Sequence, residues 1–104
     1  MNSSEITNLL KESKHRYSNE GVNIIGIFGS FSKQTQTDTS DIDIAYTLDK
    51  NLFFEKYRGF AAVSKIADIK DELARKFHRK VDFVSLENSN IHLVEAIKRE
   101  MIYV

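Results

Sequence analysis

Residues 28–45 read FGSFSKQTQTDTSDIDIA, and the fold turns on how this stretch is understood. The apolar run VNIIGIF, residues 22–28, leads into it and ends at Gly29-Ser30. The next residues, Phe31 to Ser40, are rich in small hydroxyls and amides. Asp41-Ile42-Asp43 then opens a second apolar run that continues to Leu48. Val22 to Phe28 barely alternates, which predicts a strand buried on both faces. Gly26 inside it implies the close approach of another backbone. Asp41 to Leu48 predicts a second strand, and successive side chains of a strand alternate faces. Asp41 and Asp43 therefore share one side. Between the strands, a short helix after Gly29-Ser30 and a loop over Thr37 to Ser40 account for the rest.

Outward from this stretch, Ser3 or Ser4 can cap a first helix carrying Ile6, Leu9, Leu10 and Tyr17 at helical spacing. Asn19-Glu20-Gly21 supplies its stop. Asp49-Lys50-Asn51 ends the second strand. Leu52 to about Arg79 is mostly helical, with Ala62, Ile66, Ile69, Leu73 and Phe77 as one apolar stripe. Gly59 divides it into Leu52 to Arg58 and Phe60 to Phe77. Lys80 to Leu86 alternates and predicts a third strand. Asn88 or Ser89 can cap a last helix with Ile91, Val94 and Ile97 inward, and Met101 to Val104 suits a short edge strand. Strands alternating with helices give an α/β (α+β) class: a small mixed sheet flanked by α-helices.

The length, 104 residues, predicts a single domain over 1–104. Lysine plus arginine equals aspartate plus glutamate, at 15 each, so the chain is not built mainly to coat nucleic acid, and no stable nucleic-acid binding is expected. There is no cysteine, hence no disulfide framework and no thiolate zinc site. No stretch has the apolar length of a membrane span, and MNSSEITNLLKESK does not have the pattern of a signal peptide. A cytoplasmic protein is the default expectation. His15, His78 and His92 show no metal-ligand spacing. The run Arg75 to Lys80 fits a helix C-terminus whose cations complement the macrodipole better than a docking patch. Phe53, Phe54, Tyr57 and Phe60 are expected in the core or against a partner.

The chemistry follows from the acids. Two carboxylates on one strand face repel, and apolar packing gains nothing from them. Mg²⁺ does, since it is held by one or two carboxylates plus substrate phosphates. Gly29-Ser30 offers a close-approaching backbone and a hydroxyl, as phosphate sites need; alone the pair reads as an ordinary helix start, and the Asp-Ile-Asp that follows favours the phosphate site. Asp82 is out of character for a core strand. If the second and third strands are neighbours it can face Asp41 and Asp43; otherwise it is a surface acid on an edge strand.

Gly-Ser, ten residues, Asp-Ile-Asp and a later Val-Asp-Phe-Val resemble the minimal nucleotidyltransferase family, whose catalytic core is like that of DNA polymerase beta. The resemblance spans nearly the whole chain and implies that fold. It implies that Gly29 and Ser30 hold the phosphates of ATP, and that Asp41, Asp43 and Asp82 are the catalytic and metal-binding acids for Mg²⁺, with two ions the family arrangement. Lys33 stands in the helical turn where a phosphate would lie. Many members carry Arg then Gly at the positions held here by Lys33 and Gln34. Members of this size are commonly antitoxins paired with an all-helical RNase toxin, and some transfer AMP from ATP to a tyrosine hydroxyl of that toxin. The expectation is therefore a magnesium-dependent protein adenylyltransferase and antitoxin. The alternatives are a binding antitoxin that neutralises by contact over a weakened site, and a transferase acting on a small molecule or an RNA end.

Overall fold

The computed structural model describes residues 1–104. Five helices and four strands follow one another as α1 (Ser3–Ser18), β1 (Val22–Phe28), α2 (Ser30–Lys33), β2 (Ile42–Leu48), α3 (Lys50–Lys56), α4 (Phe60–Phe77), β3 (Val81–Ser85), α5 (Ile91–Glu100) and β4 (Ile102–Tyr103). The sheet order is β3-β2-β1-β4. β1 runs antiparallel to both β2 and β4, and β2 runs parallel to β3. The mixed α/β architecture is the one the sequence predicts. No helix is long and apolar enough to cross a membrane.

Alternation along β2 decides which face is core. Ile42, Ile44 and Tyr46 are buried against Ile6, Leu10 and Tyr17 of α1 and Ile69, Leu73 and Phe77 of α4. A fully buried Ile or Leu contributes about 1.5–3 kcal/mol, so the α4 stripe is a main fastening of the helix layer. Its first two members, Ala62 and Ile66, are only half-buried. Tyr46 and Phe83 stack with ring centroids 4.1 Å apart, tying β2 to β3. The intervening positions, Asp43 on β2 and Asp82 on β3, must then leave by the opposite face.

Gly26 has the predicted reason for lacking a side chain: a Cβ there would run into the Ile102 carbonyl of β4. The pairing of β1 with β2 shifts between Ile24 and Gly26, a bulge that the near-continuous apolar run conceals.

Several local expectations are corrected. Asn2, not Ser3 or Ser4, caps α1, its Oδ1 accepting from the Glu5 amide at 2.9 Å. Asn90, not Asn88 or Ser89, caps α5 by accepting from the His92 amide at 2.8 Å. Runs of adjacent Asn and Ser all offer a capping oxygen, and only backbone geometry selects among them. Asp49 does more than end β2: its side chain accepts from the Leu52 amide, so α3 starts two residues before Leu52. Ile91 points outward at 67% exposure, while Ile97 is buried. The aromatic set divides, with Phe53 in the core and Phe54 and Phe60 exposed.

Candidate active site

The site forms where β1 ends. Phe28 of β1 pairs with Asp43 of β2, which puts Gly29 directly beside the Asp43 side chain. Gly29 has φ 73, a conformation an L side chain resists. It is also the only residue type that fits, since a Cβ there would overlap Asp43 Oδ2. The glycine is therefore required by the carboxylate across the ladder as much as by the turn. Ser30 opens α2, and its carbonyl accepts from the Thr35 amide at 2.9 Å. Lys33 closes α2, and Gln34 follows in a left-handed conformation at φ 58. Glycine adopts that conformation without strain, so Gln34 is the costlier occupant.

The parallel register pairs Asp43 with Asp82. Adjacent strands are about 4.8 Å apart, and both side chains leave by the same face. Burial pushes the Asp43 carboxyl up to about 6; the charge of Asp82 and a hydrogen bond shared with it come next, then Asp41 and Glu100. Asp41 lies one residue before β2 rather than within it, and its Oδ2 is 3.8 Å from Lys80 Nζ. Two of the three acids thus abut, and the third leans toward a lysine while its charge still reaches Asp43.

No three His, Cys, Asp or Glu side chains are grouped closely enough to hold a metal ion among themselves. The donor chemistry nevertheless fits a hard divalent cation. Asp43 and Asp82 stand side by side on paired strands, and Mg²⁺ needs only one or two protein carboxylates when substrate oxygens and water complete its shell.

Two residues that the sequence did not single out complete the site. Glu100, the last residue of α5, accepts from the Gly29 amide at 2.9 Å through Oε1 and pairs with Lys33 Nζ at 2.8 Å through Oε2. The hydrogen bond with Lys33 leads the causes that hold its carboxyl below the usual range; its partial burial opposes them, and the Gly29 amide assists. Arg79 donates from Nη1 to the carbonyls of Thr37, Asp38 and Ser40 at 3.3, 3.1 and 3.0 Å. Its guanidinium also lies 5.2 Å from the centre of the Phe31 ring on α2. Arg79 therefore clamps the loop that delivers Asp41 and braces it against the helix that carries Lys33. In the sequence it stands only within a basic run at a helix end.

Comparison with known proteins shows the family and the fold. The family model described as Polymerase beta, Nucleotidyltransferase matches residues 5–104. A Methanocaldococcus jannaschii protein, MJ0126, provisionally named a protein adenylyltransferase, is 32% identical over 107 residues, covering 97% of this chain and 96% of its own. A solved structure provisionally described as a minimal nucleotidyltransferase superposes with TM-score 0.74 at 20% identity, over 100% of this chain and 97% of its own. A toxin–antitoxin crystal structure with AMP-PNP superposes with TM-score 0.55 at 27% identity, over 89% of this chain and 64% of that one.

Proposed function

The chain belongs to the polymerase beta nucleotidyltransferase family, as a member of the minimal type, and on that premise we propose that it transfers AMP from ATP to a hydroxyl of a partner protein, a toxin that it thereby neutralises. The observation that carries the reading is the register of Asp43 with Asp82 beside the Gly29 turn. The protein adenylyltransferase name of MJ0126 supports the acceptor class, and the toxin–antitoxin neighbour with AMP-PNP supports both the partner and the nucleotide.

Asp41 and Asp43 would hold Mg²⁺, with Asp82 as the third acid. When bound, the cation neutralises phosphate charge and favours in-line displacement at phosphorus. Gly29, Ser30 and Lys33 hold the β- and γ-phosphates. The acceptor hydroxyl oxygen bonds to the α-phosphorus, the bond from that phosphorus to the pyrophosphate oxygen breaks, and the hydroxyl proton passes to Asp82. A tyrosine hydroxyl suits this step because its proton is the most acidic among the side-chain hydroxyls. Arg79 keeps the Asp41 loop in register with the strands and touches no reacting atom.

A second reading, neutralisation by contact, draws on the Glu100 carboxylate already seated on Lys33 and Gly29. Incubating the chain with its toxin partner and α-labelled ATP separates the two. Label on the partner that depends on ATP and disappears with Asp43→Asn supports transfer. Neutralisation that needs no ATP, with Asp43→Asn as effective as the wild type, would replace transfer by contact.

A further inference from the structure

Glu100 ends α5 in a position that its own helix disfavours. The last turn of a helix exposes carbonyl oxygens and attracts cations, and a carboxylate there is repelled. Lys98 and Arg99 precede it, as the helix end would favour, yet Glu100 points into the site. What holds it is the Lys33 ammonium and the Gly29 amide. Its side chain is 24% exposed against 58% for Lys33, so the acid is the seated partner and the lysine reaches to it. β4 fixes the seat, because Ile102 pairs with Ile27 just before Gly29, two residues along from Glu100.

We propose that Glu100 occupies the place of a nucleotide phosphate, and that its carboxylate must leave Lys33 and the Gly29 amide before a triphosphate can take them, so that Glu100 sets the affinity of the site for nucleotide. The inference rests on the reading of Gly29, Ser30 and Lys33 as the phosphate seat. A carboxylate with two oxygens presents to this ammonium and this amide the same two acceptors that a phosphate would. It also brings a fourth negative charge toward Asp41, Asp43 and Asp82, and its charge contributes at Asp43. A triphosphate entering with the acid in place meets repulsion and finds both donors engaged. With the acid displaced, both donors turn to the nucleotide.

The discriminating measurement is calorimetric titration of wild type, Glu100→Gln and Glu100→Ala with AMP-PNP and with adenosine, each in Mg²⁺ and in EDTA. Melting curves of the three unliganded proteins establish that each is folded. Glu100→Gln keeps the shape and an acceptor for Gly29 but removes the charge. Competition predicts that Kd for AMP-PNP in Mg²⁺ falls on the order of three- to tenfold in both variants, while Kd for adenosine is unchanged. Unchanged or weaker AMP-PNP binding by folded variants, with the wild type binding normally, overturns the proposal and leaves the transferase reading standing. An equal gain for adenosine means general loosening of the site and also overturns it. Loss of affinity confined to Mg²⁺ makes Glu100 a metal ligand instead of a competitor. Failure of all three proteins to bind AMP-PNP overturns the nucleotide reading itself, and this inference with it.

Discussion

Asp43 is the residue on which most of the site's physics converges. Its carboxyl, pushed up to about 6, holds its proton more tightly in the folded chain than an unfolded aspartate near 3.9 does. Between those values the folded state binds more protons than the unfolded one. Stability therefore falls as pH rises through this window, and the loss is complete above about 6. Below about 4 both states are protonated and the penalty is absent. The carboxyl is half-buried, so solvent trims the effect to on the order of 1–2 kcal/mol. Asp43→Asn removes the titrating group but keeps its shape. Metal-free melts of both proteins at fixed salt should show Asp43→Asn gaining on the wild type as pH rises from 4 to 7.5. A difference that does not change with pH would mean that Asp43 carries no such penalty. Loss of transfer with a gain in stability is the trade-off that functional acids show.

At the scale of elements, the acids depend on a loop with little structure of its own. Thr37 to Ser40 is exposed apart from Ser40, and Arg79 gathers three of its carbonyls. Arg79→Ala frees those carbonyls to water and removes the bracing against Phe31. It should lower stability by about 1–2 kcal/mol and lower kcat/KM by about tenfold, as Asp41 loses its fixed approach. Arg79→Lys should restore little, because an ammonium lacks the planar fork that spans several acceptors. Steady-state kinetics and melts of the two variants check this, and wild-type kcat/KM in Arg79→Ala would detach the loop from the site. The same loop shows what sequence could and could not reveal. β1, α2 and the α4 stripe are legible because apolar periodicity and a Gly-Ser break are local signals. Asp43 and Asp82 are legible as odd acids in apolar strands, and their meeting needed only the parallel pairing of β2 with β3. Glu100 and Arg79 are not legible, since each acts on backbone or charge far away in sequence. A Glu or an Arg near a helix end carries no periodic mark. Ile91 misled for a related reason: helical spacing alone does not tell which apolar residues of a ten-residue helix meet the core, and here Ile97 does and Ile91 does not.

The whole molecule keeps its charges balanced overall, with 15 of each sign, yet unbalanced at the site, where Asp41, Asp43, Asp82 and Glu100 meet only Lys33 and Lys80. Two like charges about 4 Å apart repel by roughly 4 kcal/mol at an effective dielectric of 20, and counterions reduce that. The helix layer on the opposite face supplies the burial that tolerates this excess. A ligand that brings positive charge to the acids should therefore stabilise the entire fold, since a domain of this size unfolds as one cooperative unit. On the proposed function Mg-ATP binds only the folded state, and at about a hundred times its Kd it should add roughly 2.7 kcal/mol. For a chain of about a hundred residues that corresponds to a rise in Tm on the order of 10 °C or more. On the proposed reading Asp43→Asn should show a much smaller rise, because it keeps the proposed phosphate donors but loses a proposed cation ligand. Asp82→Asn should match the wild type in unliganded Tm, or exceed it, and also respond weakly to Mg-ATP. Melts of the three proteins, each with and without Mg-ATP at fixed salt, test the scheme. If Asp82→Asn were clearly destabilised without ligand, and Mg-ATP left the wild-type Tm unmoved, Asp82 would be an anchor of β3 rather than a site acid. The facing of Asp43 and Asp82 would then be an accident of strand register.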